Sequence, residues 1–159
     1  MRQTAKRVGE LLIIRGLLKP WQLERALEEQ RATKEFLGAL LVRKGWITES
    51  ALLDALAEQF GIPHIRLDVE EIDWTLVSRF SSSLLMEHHC MPIRMDRQVV
   101  MVAITNPLDA WAVSELEKTA GSKTLQLVLA STQEVQAALK RFYQEAMKAL
   151  DRRHPEPST

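Results

Sequence analysis

Two adjacent stretches of this chain are copies of one another, and this duplication restricts the possible folds more than any other feature. A shift of 29 residues aligns 7–30 with 36–59 without a gap, and nine of the 24 aligned pairs are identical. Unrelated helices share far fewer identities, so residues 1–61 are predicted to be a tandem repeat. The identical pairs are Gly9/Gly38, Leu11/Leu40, Leu12/Leu41, Gly16/Gly45, Leu23/Leu52, Ala26/Ala55, Leu27/Leu56, Glu29/Glu58 and Gln30/Gln59.

Each copy has the pattern of two helices joined by a turn. Leucines recur at helical spacing on both sides of Gly16 and Gly45, and glycine is favoured just after a helix because it adopts positive φ. Pro20 suits the first turn of a helix, and Thr48 is a good N-cap. Each copy is therefore predicted to be a helical hairpin with little core of its own.

Gly9 and Gly38 are unusual because a glycine inside a helix costs up to about 1 kcal/mol relative to alanine. Two explanations are open. The glycines allow close packing of helices, or they expose bare backbone whose free first-turn N–H groups meet a phosphate.

The pattern changes after residue 61, and the fold class is predicted to be α+β. The helical repeat is expected to pack with a small α/β subdomain over 62–149 that contains about three strands. Residues 152–159 have two prolines and no apolar side chain, so 150–159 are predicted to be a disordered tail or linker. The expected elements are a short strand at 64–67, helical structure over 73–89, a strand hairpin at 91–94 and 99–104, a helix over 108–120, a strand at 125–130, and a last helix to about 149 that begins with a Ser131/Glu134 capping box.

Composition excludes several partners. The chain has 21 basic and 21 acidic residues, so no net field attracts DNA, RNA or a membrane surface. No apolar run reaches the roughly 20 residues that span a bilayer, and there is no signal-peptide pattern, so membrane insertion is not expected. The single cysteine, Cys90, agrees with a reducing compartment, and the predicted location is the cytoplasm.

No catalytic or metal site is predicted. The run Gly121-Ser122-Lys123-Thr124 lacks the glycines of a phosphate-binding loop and is typical of a helix end and turn. His88, His89 and Cys90 are adjacent, so they point in different directions on a helix and offer too few metal ligands together. No enzyme activity and no cofactor are expected.

Both copies share the spacing hydrophobic-Gly-x-x-Leu, then Gly, then Leu-x-x-Ala-Leu-x-x-Gln, and in the first copy Arg7 precedes it. This pattern resembles the MshEN domain at the N-terminus of type II secretion and type IV pilus assembly ATPases. The stretch 99–143 is similar to the α/β part of that region. The resemblance implies that the two copies bind cyclic di-GMP together. The implied contacts are Arg7, Val8, Gly9, Leu23, Leu27 and Gln30 in the first copy and Phe36, Leu37, Gly38, Leu52, Leu56 and Gln59 in the second, where Phe36 replaces the expected arginine.

This implied site is chemically reasonable for a molecule with two flat purines and two phosphates. Leucines would cover base faces, Gln30 and Gln59 could read polar edges, and Phe36 could stack on a base where an arginine would form a forked pair of hydrogen bonds. The other interpretation is that the leucines form core and the glutamines are solvated.

The alternative function is an adaptor that docks a secretion or pilus machinery protein without a nucleotide. Trp21 and Trp46 would suit such a surface, since tryptophan is enriched at binding hot spots. The other interpretation, which we favour, is that the two tryptophans close the core between the two hairpins.

Overall fold

The computed structural model describes residues 2–67 and 72–153. It divides into two compact units, one ending at His64 and the other beginning at Ile65. The α+β class predicted from the sequence is confirmed. In the part that the structure describes, no helix is long and apolar enough to cross a membrane.

The first unit contains four helices in the predicted order of two hairpins. In both copies the glycine after the first helix has a φ of +72°, at Gly16 and at Gly45. Its N–H bonds the carbonyl three residues earlier, and the next N–H bonds the carbonyl five residues earlier, which is the Schellman helix ending. The helices are α1 (Arg2–Ile14), α2 (Pro20–Thr33), α3 (Leu37–Arg43) and α4 (Glu49–Phe60).

The helix starts follow local chemistry. Pro20 lies in the first turn of α2, where its missing N–H removes no helical bond. Thr48 caps α4 by accepting a hydrogen bond from the Ala51 N–H at 3.1 Å. Both positions agree with the sequence prediction.

Packing in the first unit is reciprocal between the copies. Helix α1 packs on α4, and α2, the counterpart of α4, packs on α3, the counterpart of α1. Reciprocal packing of this kind is what a two-fold axis between the copies produces, as in a symmetric dimer. Neither copy therefore needs a complete core of its own. The most deeply buried side chains are Leu12, Ala26, Leu40, Leu41, Leu53 and Ala55.

The second unit is a three-stranded sheet with helices. Its elements are α5 (Trp74–Val77), α6 (Ser82–Glu87), β1 (Cys90–Met95), β2 (Val99–Ile104), α7 (Ala110–Ala120), β3 (Thr124–Leu129) and α8 (Thr132–Arg153). The strand order is β1-β2-β3. The hairpin β1–β2 is antiparallel, and β2 and β3 are parallel because α7 carries the chain back between them. Fully buried Met91, Ile93, Val102 and Leu129 are among its core side chains.

The capping box predicted for the last helix is present. The Glu134 N–H donates to Ser131 Oγ at 3.1 Å, and the Ser131 N–H donates to Glu134 Oε2 at 3.2 Å. The helix runs to Arg153 rather than to about 149, and Arg152 and Arg153 suit the negative end of its dipole. The predicted tail is thus helical over 150–153, and 154–159 lie outside the described residues.

Two other predicted elements differ from the structure. The stretch 64–67 is not a strand: the Ile65 N–H bonds the Leu129 carbonyl at 2.8 Å, but Pro63, two residues earlier, has no N–H to continue a ladder. The helical region predicted over 73–89 is two short helices, α5 and α6, and each begins with its own cap, at Asp73 and Ser81.

Candidate functional site

All twelve residues of the predicted site lie in the first unit, and their accessibility separates them into groups. Arg7 is exposed, whereas Leu27, Gln30, Phe36, Gly38 and Gln59 are partly exposed. The buried members are Val8, Gly9, Leu23, Leu37, Leu52 and Leu56. The predicted site therefore consists of six accessible residues and six buried ones.

The two glycines are explained by close helix packing. A Cβ built on Gly9 would overlap the Leu23 side chain, and a Cβ built on Gly38 would lie 2.7 Å from Leu52 Cδ2. Leu23 and Leu52 are equivalent residues of the two copies, so the duplication preserves a complete glycine–leucine contact. Helix packing is sufficient to account for both glycines.

The alternative, free N–H groups at the glycines, is wrong for Gly9. Helix α1 begins at Arg2, so Gly9 lies about two turns inside it, where N–H groups are used by the helix. Gly38 is different, because α3 begins at Leu37 and its N-cap, Phe36, makes no side-chain capping bond. The copies therefore differ at the start of their first helix.

The four leucines proposed to cover base faces are not equally accessible. Leu23, Leu52 and Leu56 are 6%, 7% and 3% exposed and belong to the core of the unit, whereas Leu27 is partly exposed. In this conformation, only Leu27 of the four offers an appreciable apolar surface.

The equivalent glutamines have different partners. Gln30 Nε2 donates to the Glu35 carbonyl at 3.0 Å. Gln59 Oε1 is buried and has no hydrogen-bond partner among the described residues. A buried acceptor without a partner is uncommon, so Gln59 is the polar group of the predicted site that most needs a donor.

The second copy replaces its arginine with Phe36, and the neighbouring cations are engaged elsewhere. Arg43 Nη2 lies 3.0 Å from Glu29 Oε1 and 3.1 Å from Glu35 Oε1, and Lys44 Nζ lies 2.6 Å from Glu29 Oε2. Hydrogen bonds from Lys44 and then Arg43 lower the pKa of Glu29. Lys34 and Arg31, which lie shortly before Phe36 in the chain, are exposed.

Glu29 and Glu58 are not among the ligand contacts predicted from the sequence. They are one of the nine identical pairs of the repeat, and each forms a cross-copy ion pair, Glu29 with Lys44 and Glu58 with Arg15. The signal that could have found them is that identity, because exposed helix positions rarely stay identical without a partner.

The two tryptophans contact each other. The rings of Trp21 and Trp46 meet edge to face at 5.5 Å, and Lys44 Nζ lies 5.1 Å from the Trp46 ring. Trp21 remains 51% exposed, beside Leu17 at 38% and Ile14 at 82% along the chain.

His88 and Cys90 of the second unit both interact with Asp109. His88 Nδ1 lies 2.6 Å from Asp109 Oδ2, and burial raises the pKa of the Cys90 thiol to about 12. A thiol that holds its proton so firmly is a poor nucleophile. Among the described residues, no group of three metal-ligating side chains is present.

The α/β segment decides the family. The MshEN domain model matches residues 60–149 of this chain. This chain belongs to the MshEN domain family. The matched segment lies after the tandem repeat, although the repeat was the more specific part of the resemblance in the sequence.

The MshEN chain is similar to part of a type IV pilus assembly ATPase. It is 30% identical to the type IV pilus assembly ATPase PilB of Myxococcus xanthus over 145 residues. The aligned segment covers 91% of this chain and 25% of PilB. The chain thus spans about a quarter of that relative.

Two solved structures share the fold. A structure of MshE with cdg has a TM-score of 0.76 and 26% identity, and covers 86% of this chain and 98% of that one. The N-terminal domain of XpsE has a TM-score of 0.72 and 25% identity, and covers 86% of this chain and 93% of that one.

Proposed function

We propose that this MshEN chain binds cyclic di-GMP through its two helical copies and acts as a non-catalytic regulatory module linked to type II secretion or type IV pilus ATPase systems. The observation that carries the proposal is the similarity to MshE with cdg, which extends over 98% of that chain and 86% of this one, the helical repeat included in large part. The abbreviation cdg denotes cyclic di-GMP.

The polar members of the site account for recognition. The exposed Arg7 can form a forked pair of hydrogen bonds with a phosphate or a guanine edge. Gln59 Oε1 can accept a hydrogen bond from a guanine N–H group. Leu27 and Phe36, both partly exposed, can contact the flat faces of the bases.

The buried members act as the frame. Gly9 against Leu23 and Gly38 against Leu52 bring the two helices of each copy close together. Val8, Leu37 and Leu56 are also buried and fill the remaining space. The frame fixes the helices α1, α2 and α4, which carry Arg7, Gln30 and Gln59.

Calorimetric titration with cyclic di-GMP, cyclic di-AMP and linear GMP tests the proposal. Arg7→Ala should weaken cyclic di-GMP binding by about tenfold or more, because a hydrogen bond to a charged group contributes about 1.5–3 kcal/mol. Arg25→Ala, an exposed arginine outside the predicted site, is the matched control and should bind as the wild type does. No saturable heat with cyclic di-GMP at high concentration would contradict the proposal.

The second candidate is an adaptor that docks a machinery protein through the first copy. The exposure of Ile14 and Trp21 favours it, because the equivalent residue of Ile14 in the second copy is Arg43 and that of Trp21 is Ser50. A surface that is apolar in only one copy is not required by the shared fold. A pull-down that is unchanged by Trp21→Ala and Trp46→Ala would argue against docking here.

A further inference from the structure

Four charged residues occupy equivalent positions in the two copies. Arg15 in the first copy corresponds to Lys44 in the second, since each directly precedes the turn glycine. Glu29 corresponds to Glu58, since each directly precedes the glutamine that ends the repeat. None of the four belongs to the predicted ligand site.

The structure joins these residues across the copies and not within them. Arg15 pairs with Glu58, and Lys44 pairs with Glu29 at 2.6 Å. The two pairs are related by the same exchange that places α1 on α4 and α2 on α3. A basic residue and an acidic residue repeated with the helices thus yield two ion pairs, each with one residue from each copy.

These pairs lie beside the ends of the proposed ligand site. Glu29 is followed by Gln30 and Glu58 by Gln59, and both glutamates lie on the helix that carries the glutamine, α2 or α4. The pairs are partly exposed, with side-chain exposures of 31% for Arg15, 59% for Glu58, 23% for Lys44 and 31% for Glu29. Such pairs add little to the stability of a fold, yet they can select one arrangement of two packed segments.

We infer that Arg15–Glu58 and Lys44–Glu29 form an ionic clasp that holds the two copies in the arrangement in which both half-sites meet one cyclic dinucleotide. This inference depends on the proposed function. The four residues are positioning residues, because they do not touch the ligand. A ligand that spans both copies binds only the fraction of molecules with the half-sites in register, so opening the clasp raises the apparent Kd.

The two ion pairs of the clasp differ in exposure and in additional partners, so one of them is easier to break than the other. Glu29 is held by Lys44 and also by Arg43, whose second carboxylate partner is Glu35. Arg15–Glu58 has only its two members among the described contacts and is the more exposed pair. We expect changes at Arg15 or Glu58 to affect the clasp without disturbing neighbouring ion pairs.

The test is a charge-exchange cycle on the full chain, with cyclic di-GMP as the probe. Glu58→Arg and Arg15→Glu each place like charges together and should weaken binding roughly three- to tenfold. The double variant R15E/E58R restores opposite charges and should bind within about twofold of the wild type. E29Q/E58Q should weaken binding as the single charge reversals do.

Glu28→Gln is the matched control. Glu28 is exposed on the same helix as Glu29, has a non-charged counterpart in Ala57, and should leave binding unchanged. Far-ultraviolet circular dichroism and thermal unfolding without ligand establish that each variant is folded. Recovery of cyclic di-GMP affinity in R15E/E58R separates positioning from a general structural effect. If each substitution only disrupted the structure, their losses of affinity would add in the double variant.

The outcomes distinguish the clasp from the proposed function. If the wild type binds cyclic di-GMP and E29Q/E58Q binds equally well, or if R15E/E58R fails to recover although it is folded, the clasp is overturned and the proposed function stands. If the wild type shows no binding, the proposed function fails, and the role of the clasp in binding fails with it.

Discussion

At the residue scale, Phe36 is the position of the predicted site where the two copies differ most in chemistry. It aligns with Arg7, is partly exposed, and serves as the N-cap of α3 without a side-chain capping bond. Replacing it therefore removes no hydrogen bond. We expect Phe36→Arg to tighten cyclic di-GMP binding by about tenfold, because a second guanidinium can reach the ligand.

Titration calorimetry measures this change. Phe36→Ala is the control, and it should weaken binding modestly because the stacking face of the phenyl ring is lost. Equal or weaker binding by Phe36→Arg than by the wild type would show that residue 36 does not face the ligand.

The buried thiol of Cys90 leads to a prediction about how the stability of the fold depends on pH. Burial, and secondarily the charge of Asp109, raises the pKa of its thiol from 9.0 to about 12. The folded state thus holds the proton more firmly than the unfolded state, so the stabilising contribution is complete below about pH 9 and is lost as pH rises toward 12.

Urea unfolding at a series of pH values checks the sign. The free energy of unfolding of the wild type should decline more steeply above pH 9 than that of Cys90→Ala, which cannot titrate. Cys90 should also resist Ellman's reagent at pH 8 until the chain is unfolded. Rapid labelling of the native protein would contradict this account.

At the element scale, the contact between α1 and α2 depends on a missing side chain. Gly9→Ala should gain up to about 1 kcal/mol of helix propensity. It should lose about 1–3 kcal/mol because the new Cβ overlaps Leu23, which is 6% exposed and has little room to move. We therefore expect a net decrease in the free energy of unfolding.

Chemical denaturation measures the effect, and the repeat provides its own control. Gly38→Ala should cost less than Gly9→Ala, because its Cβ would lie 2.7 Å from Leu52 and Gly38 is the less buried glycine. A Gly9→Ala protein more stable than the wild type would mean that Leu23 moves aside at little cost.

At the scale of the whole molecule, the two units are expected to respond differently to the ligand. If cyclic di-GMP spans the two copies, the rate of amide hydrogen exchange over 7–30 and 36–59 should fall by a factor that the free energy of binding determines. Residues 72–153 should change little, although the family model matches most of that segment.

Hydrogen exchange with mass spectrometry, with and without saturating cyclic di-GMP, resolves these regions. Linear GMP at the same concentration is the control, since it cannot bridge both copies. Slower exchange confined to 72–153 would move the ligand to the α/β unit.

Local chemistry was readable from the amino-acid sequence. The turn glycines, Pro20, Thr48 and the Ser131/Glu134 box each depend on neighbours a few residues away, and each is present as predicted. The three strands were predicted for a similar reason, because short, largely apolar runs between turns identify them without knowledge of their partners.

Tertiary structure decided what depends on residues distant in the chain. Periodicity cannot show that a duplicated helix packs on the other copy. The packing of α1 on α4 and of α2 on α3 is therefore visible only in three dimensions. The same holds for the ion pairs of Glu29 and Glu58. The role of Gly9 was open between packing and a bare backbone, and the position of Leu23 resolved it. Sequence determines the elements because their bonds are local, whereas burial and pairing depend on which surfaces meet.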